Sequence, residues 1–204
     1  AVSGIGELDR VLGGGLVAGS VILLGGDPGI GKSTLLLQAA DALSRDRPVL
    51  YASGEESVRQ VALRARRLGL GSDTLRLVAE TRVESIIEQA VAAGASVLVV
   101  DSIQTMHTEL SESSPGSAVQ VRESAARLVR FAKESATTVL IIGHVTKEGL
   151  IAGPRILEHM VDTVLYFESE PGSRFRVVRA VKNRFGAANE IGVFAMADEG
   201  LKEV

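Results

Sequence analysis

The chain has 204 residues, of which 46% are hydrophobic and only 3% aromatic, and it contains no cysteine. This length suits one sizeable α/β domain with a core of Val, Leu, Ile and Ala, and the hydrophobic content excludes a disordered chain. Because cysteine is missing, disulfides, a Cys-ligated zinc and a Cys nucleophile are excluded within these residues, which agrees with a reducing cytoplasm.

The formal net charge is −3, whereas a protein whose whole surface grips nucleic acid is usually basic. Any contact with a polyanion must therefore be local, or come from an assembly or from other parts of the protein. No apolar run reaches ~18 residues and no signal peptide is visible, so we expect no membrane span and a cytoplasmic location. Because the sequence opens at Ala1 without a methionine, we expect an excised domain.

Short apolar runs alternate with longer amphipathic stretches, a pattern typical of βαβ units around a mostly parallel sheet. The predicted strands are the apolar runs Ser20–Gly25, Pro48–Ser53, Leu75–Val78, Ser96–Val100 and Thr138–Gly143. The predicted helices are the amphipathic stretches Lys32–Ser44, Glu56–Leu68, Val83–Ala93 and Val119–Ser135. Between Asp162 and Val193 the tail is predicted to form three strands separated by glycine-containing turns.

A phosphate-binding pattern, G-x-x-x-x-G-K-[ST], lies between the first predicted strand and the helix that follows it. Its residues are Gly26, Asp27, Pro28, Gly29, Ile30, Gly31, Lys32 and Ser33, with Thr34 next to them. The glycines let successive backbone N–H groups point inward at phosphate oxygens. Lys32 sets a positive charge against the β- and γ-phosphates, and the Ser33 hydroxyl can ligate Mg²⁺. The alternative is a glycine-rich turn before an ordinary helix.

A second element is the apolar strand that ends in Asp101. In open α/β sheets, ligands bind at the carboxyl ends of the strands. We therefore predict that Asp101 holds Mg²⁺ through a water, as a Walker B aspartate does. The alternative is an aspartate that starts a turn with Ser102.

Two further groups follow predicted strands. Glu55 and Glu56 come after the second strand, and a carboxylate there can orient and deprotonate the attacking water. Both can instead form the acidic first turn of the next helix; we favour Glu55 as the base because it lies nearer the strand end. His144 follows the last parallel strand, where it either contacts the γ-phosphate or is a capping or surface histidine.

These elements, in this order, resemble those of the RecA-like ATPases and, within them, the RadA (Sms) family of bacterial DNA-repair proteins. The most specific match is Lys182-Asn183-Arg184-Phe185-Gly186, which looks like the family's KNRFG motif. The segments Ser3–Asp9, Gly26–Thr34 and Gly143–Gly149 are also similar to that family.

The resemblance implies a RecA-like P-loop NTPase fold, with a mostly parallel central sheet flanked by helices and a C-terminal antiparallel extension. It also implies ATP and Mg²⁺ as ligands, and a hexameric, ATP-driven motor that acts on single-stranded and branched DNA in homologous recombination and DNA repair, alongside a recombinase of the RecA type. The family normally carries a four-Cys zinc finger and a Lon-protease-like domain. We expect neither in these residues, which lack cysteine and end at Val204.

In such rings, basic residues at the position of the KNRFG motif reach the γ-phosphate bound by the neighbouring subunit. Lys182 and Arg184 are two residues apart, so in an extended strand they project to the same side, while Phe185 faces away as a packing residue. The alternative is that the two charges merely protect an edge strand.

The family's DNA-facing loops map to Ile103–Ser117 and Val145–Pro154, and we predict DNA contacts at Lys147 and Arg155. Ordinary solvated surface charges are the alternative for both. Two other functions remain open from the sequence: an ATPase like KaiC, and a binding module that nucleotide only switches.

Overall fold

The computed structural model describes residues 1–144 and 156–204. Its helices are α1 (Gly6–Val11), α2 (Lys32–Ser44), α3 (Val58–Arg67), α4 (Val83–Ala92) and α5 (Ala118–Ser135), with a short 3₁₀ turn at Ile103–Thr105. Its strands are β1 (Val21–Gly26), β2 (Val49–Ser53), β3 (Leu75–Ala79), β4 (Val97–Asp101), β5 (Thr138–His144), β6 (Thr163–Glu168), β7 (Phe175–Asn183), β8 (Ile191–Ala197) and β9 (Gly200–Glu203).

All the strands of the described residues belong to one sheet, in the order β3-β2-β4-β5-β1-β6-β7-β8-β9. Neighbours from β3 to β6 pair in parallel, and the pairs β6–β7, β7–β8 and β8–β9 are antiparallel. The fold class predicted from the sequence, a mostly parallel sheet with an antiparallel extension, is confirmed.

Helices cover both faces of the parallel part, which explains why β1 and β4 are apolar at nearly every position. One core cluster joins Ile22 and Leu24 of β1 to apolar residues of α1, α2 and α3. The other joins Val21 and Leu23 of the same strand to α4 and α5. The alternating directions of strand side chains thus divide β1 between two cores and fix the strand rigidly in the sheet.

Two elements differ from the sequence-based expectation. Helix α1 was not predicted, because six residues carry little periodic signal; it is held by burial of Leu8 and Val11 and lies close against β8. A Cβ atom at Gly192 of β8 would approach a Val11 methyl carbon to 2.9 Å, so the glycine permits this contact. The three strands predicted between Asp162 and Val193 are β6, β7 and β8. Strand β9, which lies beyond that range, was not predicted, and it pairs back onto β8.

Candidate active site

The parallel strands bring the predicted site residues to one edge of the sheet. Gly26 at the end of β1 is level with His144 at the end of β5, and Ser53 at the end of β2 is level with Asp101 at the end of β4. A cleft of about 550 Å³ opens at this carboxyl edge. Its lining includes residues of the loop after β1 together with Glu55, Glu56 and His144.

The loop after β1 has the backbone that its glycines predict. Gly26, Gly29 and Gly31 all have positive φ angles, and Gly31 is the N-cap residue immediately before α2. A Cβ atom at Gly26 would lie 2.6 Å from the Phe167 carbonyl oxygen, and one at Gly31 would lie 2.9 Å from Met196 Cε. The N-cap residue, Gly31, has no side chain with which to cap the first turn of α2, and N–H groups at the start of a helix can bind an anion.

Lys32 is folded back onto this loop. Its side chain is buried, with 3% of the residue exposed, and Nζ donates hydrogen bonds of 2.6 Å to the carbonyl oxygens of Gly26 and Asp27. Burial lowers the pKa of Lys32 to about 8, although the charges of Asp101, Asp27 and Glu55 oppose the shift. The ammonium is therefore held where phosphate oxygens can replace the two carbonyls.

Asp101 is buried, with 5% exposed, and its Oδ2 atom accepts two hydroxyl hydrogen bonds. Ser33 Oγ donates over 2.7 Å and the Tyr51 hydroxyl over 2.6 Å. Burial, followed by the charge of Asp101, raises the pKa of Tyr51 well above its usual range, so this tyrosine stays a donor. Sequence reasoning missed Tyr51; the available signal was its hydroxyl within the otherwise apolar run Val49–Ala52 of β2.

The pair of Ser33 and Asp101 fits a magnesium ion. Hydroxyl and carboxylate oxygens are hard ligands, and Mg²⁺ usually takes only one or two protein groups beside water and substrate phosphates. Within residues 1–144 and 156–204 there is no cluster of three or more His, Cys, Asp or Glu that could hold a metal by itself.

The two glutamates after β2 have different surroundings. Glu56 forms an ion pair of 2.5 Å with Arg64, whereas Glu55 is half exposed and accepts a hydrogen bond of 3.3 Å from the Ser102 hydroxyl. Neither lies in the first turn of α3, which begins at Val58 after a capping box made by Ser57 and Gln60. Among the described residues, Glu55 therefore forms no ion pair with an arginine or lysine, in contrast to Glu56.

His144 lies beside Glu55, with 3.5 Å between Nε2 and Glu55 Oε1. The side chain of Gln104 brackets its backbone, accepting from the His144 N–H over 3.2 Å and donating to its carbonyl oxygen over 3.1 Å. The Nδ1 atom of His144 is buried and has no hydrogen-bond partner in the described part of the chain. The 3₁₀ turn after β4 thus holds the end of β5.

Lys182 and Arg184 are not brought to this cleft. Strand β7 runs antiparallel to β6, so its end at Asn183 is level with Thr163 at the start of β6, whereas Gly26 is level with Phe167. Four residues of strand separate the two levels, roughly 13 Å. Both basic residues therefore lie at the amino edge of the sheet. Phe185, predicted to pack, is 44% exposed.

Comparison with known proteins assigns the family. A family model described as an AAA domain matches residues 3–150. The chain belongs to this AAA-domain family. The chain is also 63% identical over 202 residues to the DNA repair protein RadA of Pseudomonas aeruginosa, and the aligned region covers 99% of this chain and 45% of that protein. The resemblance to RadA inferred from the sequence is thus confirmed, for a chain that spans less than half of that relative's length.

Two solved structures share the fold of this AAA domain. A KaiC-like protein from the hyperthermophilic archaeon Pyrococcus horikoshii has a TM-score of 0.81 at 21% identity, covering 100% of this chain and 98% of that one. A solved ATPase domain has a TM-score of 0.82 at 15% identity, covering 99% of this chain and 90% of that one. Family and fold together identify a P-loop ATPase domain of the RecA-like type.

The two residues predicted to contact DNA, Lys147 and Arg155, lie outside the described residues. In the segment between β4 and α5, Glu109 is paired with Arg82 over 2.8 Å, so at least one of its acidic side chains is neutralised. None of the described helices is both long enough and apolar enough to cross a membrane.

Proposed function

We propose that this AAA domain hydrolyses ATP in a site completed by a neighbouring copy, and that a hexameric ring of such domains uses the hydrolysis to move on DNA. The observation that carries the proposal is the convergence of Lys32, Ser33, Asp101 and Glu55 at one edge of the sheet. The similarity to RadA supports a role in DNA repair.

Residues of the loop after β1 bind the triphosphate. Lys32 exchanges its two carbonyl acceptors for β- and γ-phosphate oxygens, while the loop and the start of α2 donate backbone N–H groups. Ser33 and Asp101 hold Mg²⁺, which when bound neutralises charge on the phosphates. Because the Ser33 and Asp101 oxygens are 2.7 Å apart, a small movement suffices to present both to one ion.

Glu55 orients the attacking water and accepts its proton. His144, held by Gln104 next to Glu55, contacts the γ-phosphate and senses its loss. Lys182 and Arg184 act in trans on the phosphates bound by the next copy, since they lie too far from the cleft of their own chain. An arginine supplied in this way accelerates hydrolysis by ~10³–10⁵-fold in other NTPases.

The similarity to RadA extends the proposal beyond the site. The DNA is single-stranded or branched, as in branch migration during homologous recombination, and the partner is a recombinase of the RecA type. Lys147 and Arg155 contact the DNA backbone as local positive charges on a chain whose net charge is −3.

The test measures ATP hydrolysis with and without single-stranded DNA while the mass of the oligomer is determined in the same samples. We expect DNA to raise the rate, and the activity per subunit to fall on dilution together with the ring mass. Arg184→Ala should lower turnover and leave nucleotide affinity unchanged, whereas the exposed Arg59→Ala on α3 serves as a matched control without effect. Full activity of a monomer would refute the shared site.

The second candidate is a KaiC-like ATPase or a nucleotide-switched binding module, in either case without motor activity. It is favoured by the KaiC-like neighbour in fold and by the hydrogen bonds that Lys182 and Arg184 already make within their own chain. A Glu55→Gln variant separates the two: it abolishes DNA movement if turnover drives the function, and preserves DNA-linked function if nucleotide only switches the protein.

A further inference from the structure

A second buried carboxylate, distant from the cleft, lies at the amino edge of the sheet. Asp162 precedes β6 and is 2% exposed. Its Oδ2 atom accepts from the Val21 N–H over 2.8 Å and from Lys133 Nζ over 2.6 Å, and its Oδ1 atom accepts from Arg184 Nη1 over 2.5 Å. Burial opposes ionisation, but the hydrogen bonds from Lys133 and Val21 lower the pKa of Asp162, so this group is a carboxylate.

Backbone hydrogen bonds also join Val21, Asp162 and Arg184, and these three residues form a junction at the amino edge. The Asp162 N–H donates to the Val21 carbonyl oxygen, and the Arg184 N–H donates to the Asp162 carbonyl oxygen, both over 3.0 Å. Arg184 is thus fixed through its backbone and its guanidinium to one residue. Because Val21 begins β1, which ends in the phosphate loop, the junction joins Arg184 rigidly to the strand that carries the nucleotide site of its own chain.

Most of the Arg184 guanidinium nevertheless remains available. A guanidinium has five N–H donors, and in the part of the chain that the structure describes only Nη1 has a side-chain hydrogen bond. The side chain is 52% exposed. Val181, three residues before Arg184, and Phe185, directly after it, are exposed apolar residues. Asp162 therefore anchors one end of the group and leaves its other donors facing outward.

We propose that Asp162 is a positioning residue that holds Arg184 in the orientation in which its free donors meet the phosphates bound by the next copy. The proposal rests on the shared site proposed above. An exposed arginine samples many rotamers, and a charge-assisted hydrogen bond to a buried carboxylate reduces that freedom before the substrate arrives. Lys133, which shares the carboxylate but does not contact Arg184 in the described residues, supports Asp162 without a role at the phosphates.

The first test compares Asp162→Asn with Lys133→Met. An asparagine can keep its oxygen toward the Val21 N–H and Lys133, but its NH₂ group then faces the guanidinium, which cannot accept a hydrogen bond. We expect kcat to fall about 10- to 100-fold, as for other misplaced catalytic groups, with the KM for ATP unchanged. Lys133→Met removes the other cation from the same carboxylate and should leave kcat within about twofold. Equal kcat losses in both variants would assign Asp162 a structural role only.

The second test uses mixed rings. Asp162→Asn copies have an intact phosphate loop, and Lys32→Ala copies have an intact Asp162–Arg184 pair. When equal amounts of the two variants assemble head to tail, about a quarter of the sites combine both intact halves, so mixing should restore activity. A purely structural defect of Asp162→Asn would act within its own chain, and mixing would restore nothing.

Two further variants distinguish failure of the proposed function from failure of the positioning role of Asp162. Mixing Arg184→Ala with Lys32→Ala tests the shared site itself, and no recovery there overturns the proposed function. If mixing Arg184→Ala with Lys32→Ala restores activity, the shared site stands. The role of Asp162 alone is then overturned if Asp162→Asn has wild-type activity, or if mixing Asp162→Asn with Lys32→Ala restores nothing. If Asp162→Asn does not fold, Arg184→Lys takes its place: a lysine held by Asp162 cannot also reach the phosphates, so wild-type turnover of Arg184→Lys would contradict the proposal.

Discussion

Asp101 at the carboxyl edge of the sheet and Asp162 at its amino edge are both buried, and the partners of the two carboxylates differ. Asp101 at the carboxyl edge accepts hydrogen bonds from two neutral hydroxyls and forms no ion pair within the described residues. Asp162 at the amino edge is paired with two cations, Lys133 and Arg184. A buried charge requires compensation. Among the described residues, Asp162 is in direct contact with cationic side chains, whereas Asp101 contacts only hydroxyls.

This difference separates a binding group from an anchoring group. The charge of Asp101 acts on Lys32 and, in the proposed function, on the metal. The charge of Asp162 is already neutralised, so the residue joins elements of the fold and orients one of its partners. Substitutions at the carboxyl edge should therefore change ligand binding more than stability, and substitutions at the amino edge the reverse.

The largest expected effect follows from Lys32→Ala. The variant loses the charge that faces the β- and γ-phosphates, so nucleotide affinity or turnover should fall at least ~100-fold. Its stability should not fall, because a buried ammonium is removed. Nucleotide titration, ATP hydrolysis and urea unfolding measure these quantities, with Lys133→Met at the other edge as the control. Full ATPase activity of Lys32→Ala would contradict the binding role.

Much of the carboxyl edge could be predicted from the sequence because its signals are local. Asp101 ends an apolar strand and Glu55 follows another closely, and the carboxyl ends of parallel strands are where ligands bind. Lys32 belongs to the glycine-rich pattern between β1 and α2. The amino edge gave no such signal. Asp162 meets Lys133, Arg184 and Val21, which lie 29, 22 and 141 residues away in the chain, and only the order of strands in the sheet brings them together.

A second prediction concerns acid stability at the amino edge. The folded-state pKa of Asp162 is lowered, so its contribution to stability is present above its ordinary pKa and is lost as pH falls through the lowered value. Asp162→Asn should unfold with about 2 kcal/mol less free energy at pH 7, the range for hydrogen bonds to a charged group. The difference should shrink below about pH 4. A constant difference across the acid range would show that size or shape matters rather than charge.

The next effect belongs to the carboxyl edge. Because the pKa of Lys32 is about 8 before phosphate binds, nucleotide binding above that pH requires uptake of a proton. Affinity for Mg-ATP should be flat below pH 8 and fall by up to about tenfold for each further pH unit. Lys32→Arg stays charged, so whatever affinity it retains should show no break near pH 8. A flat profile in the wild type would contradict the lowered pKa.

The apolar sequence of β2 illustrates why the hydrogen bond from Tyr51 to Asp101 could not be predicted. An apolar run indicates a buried strand but not which neighbouring strand it faces, so the sequence did not connect Tyr51 with a carboxylate 50 residues further along. The same limit applies to α1, whose apolar residues become informative only once β8 is known to lie against them.

The smallest expected effect is that of Tyr51→Phe. The substitution removes one of two donors to Asp101 and preserves the packing of the buried ring, so stability should fall by about 1 kcal/mol, the usual net value of one hydrogen bond. Asp101 keeps Ser33 as a donor, so the magnesium concentration needed for half-maximal hydrolysis should change no more than about threefold, which is less than 1 kcal/mol. Thermal unfolding and a magnesium titration check both values. A loss of activity as large as that of Lys32→Ala would mean that the tyrosine hydroxyl itself contacts the reacting groups, and the distinction between a binding carboxylate and its support would have to be withdrawn.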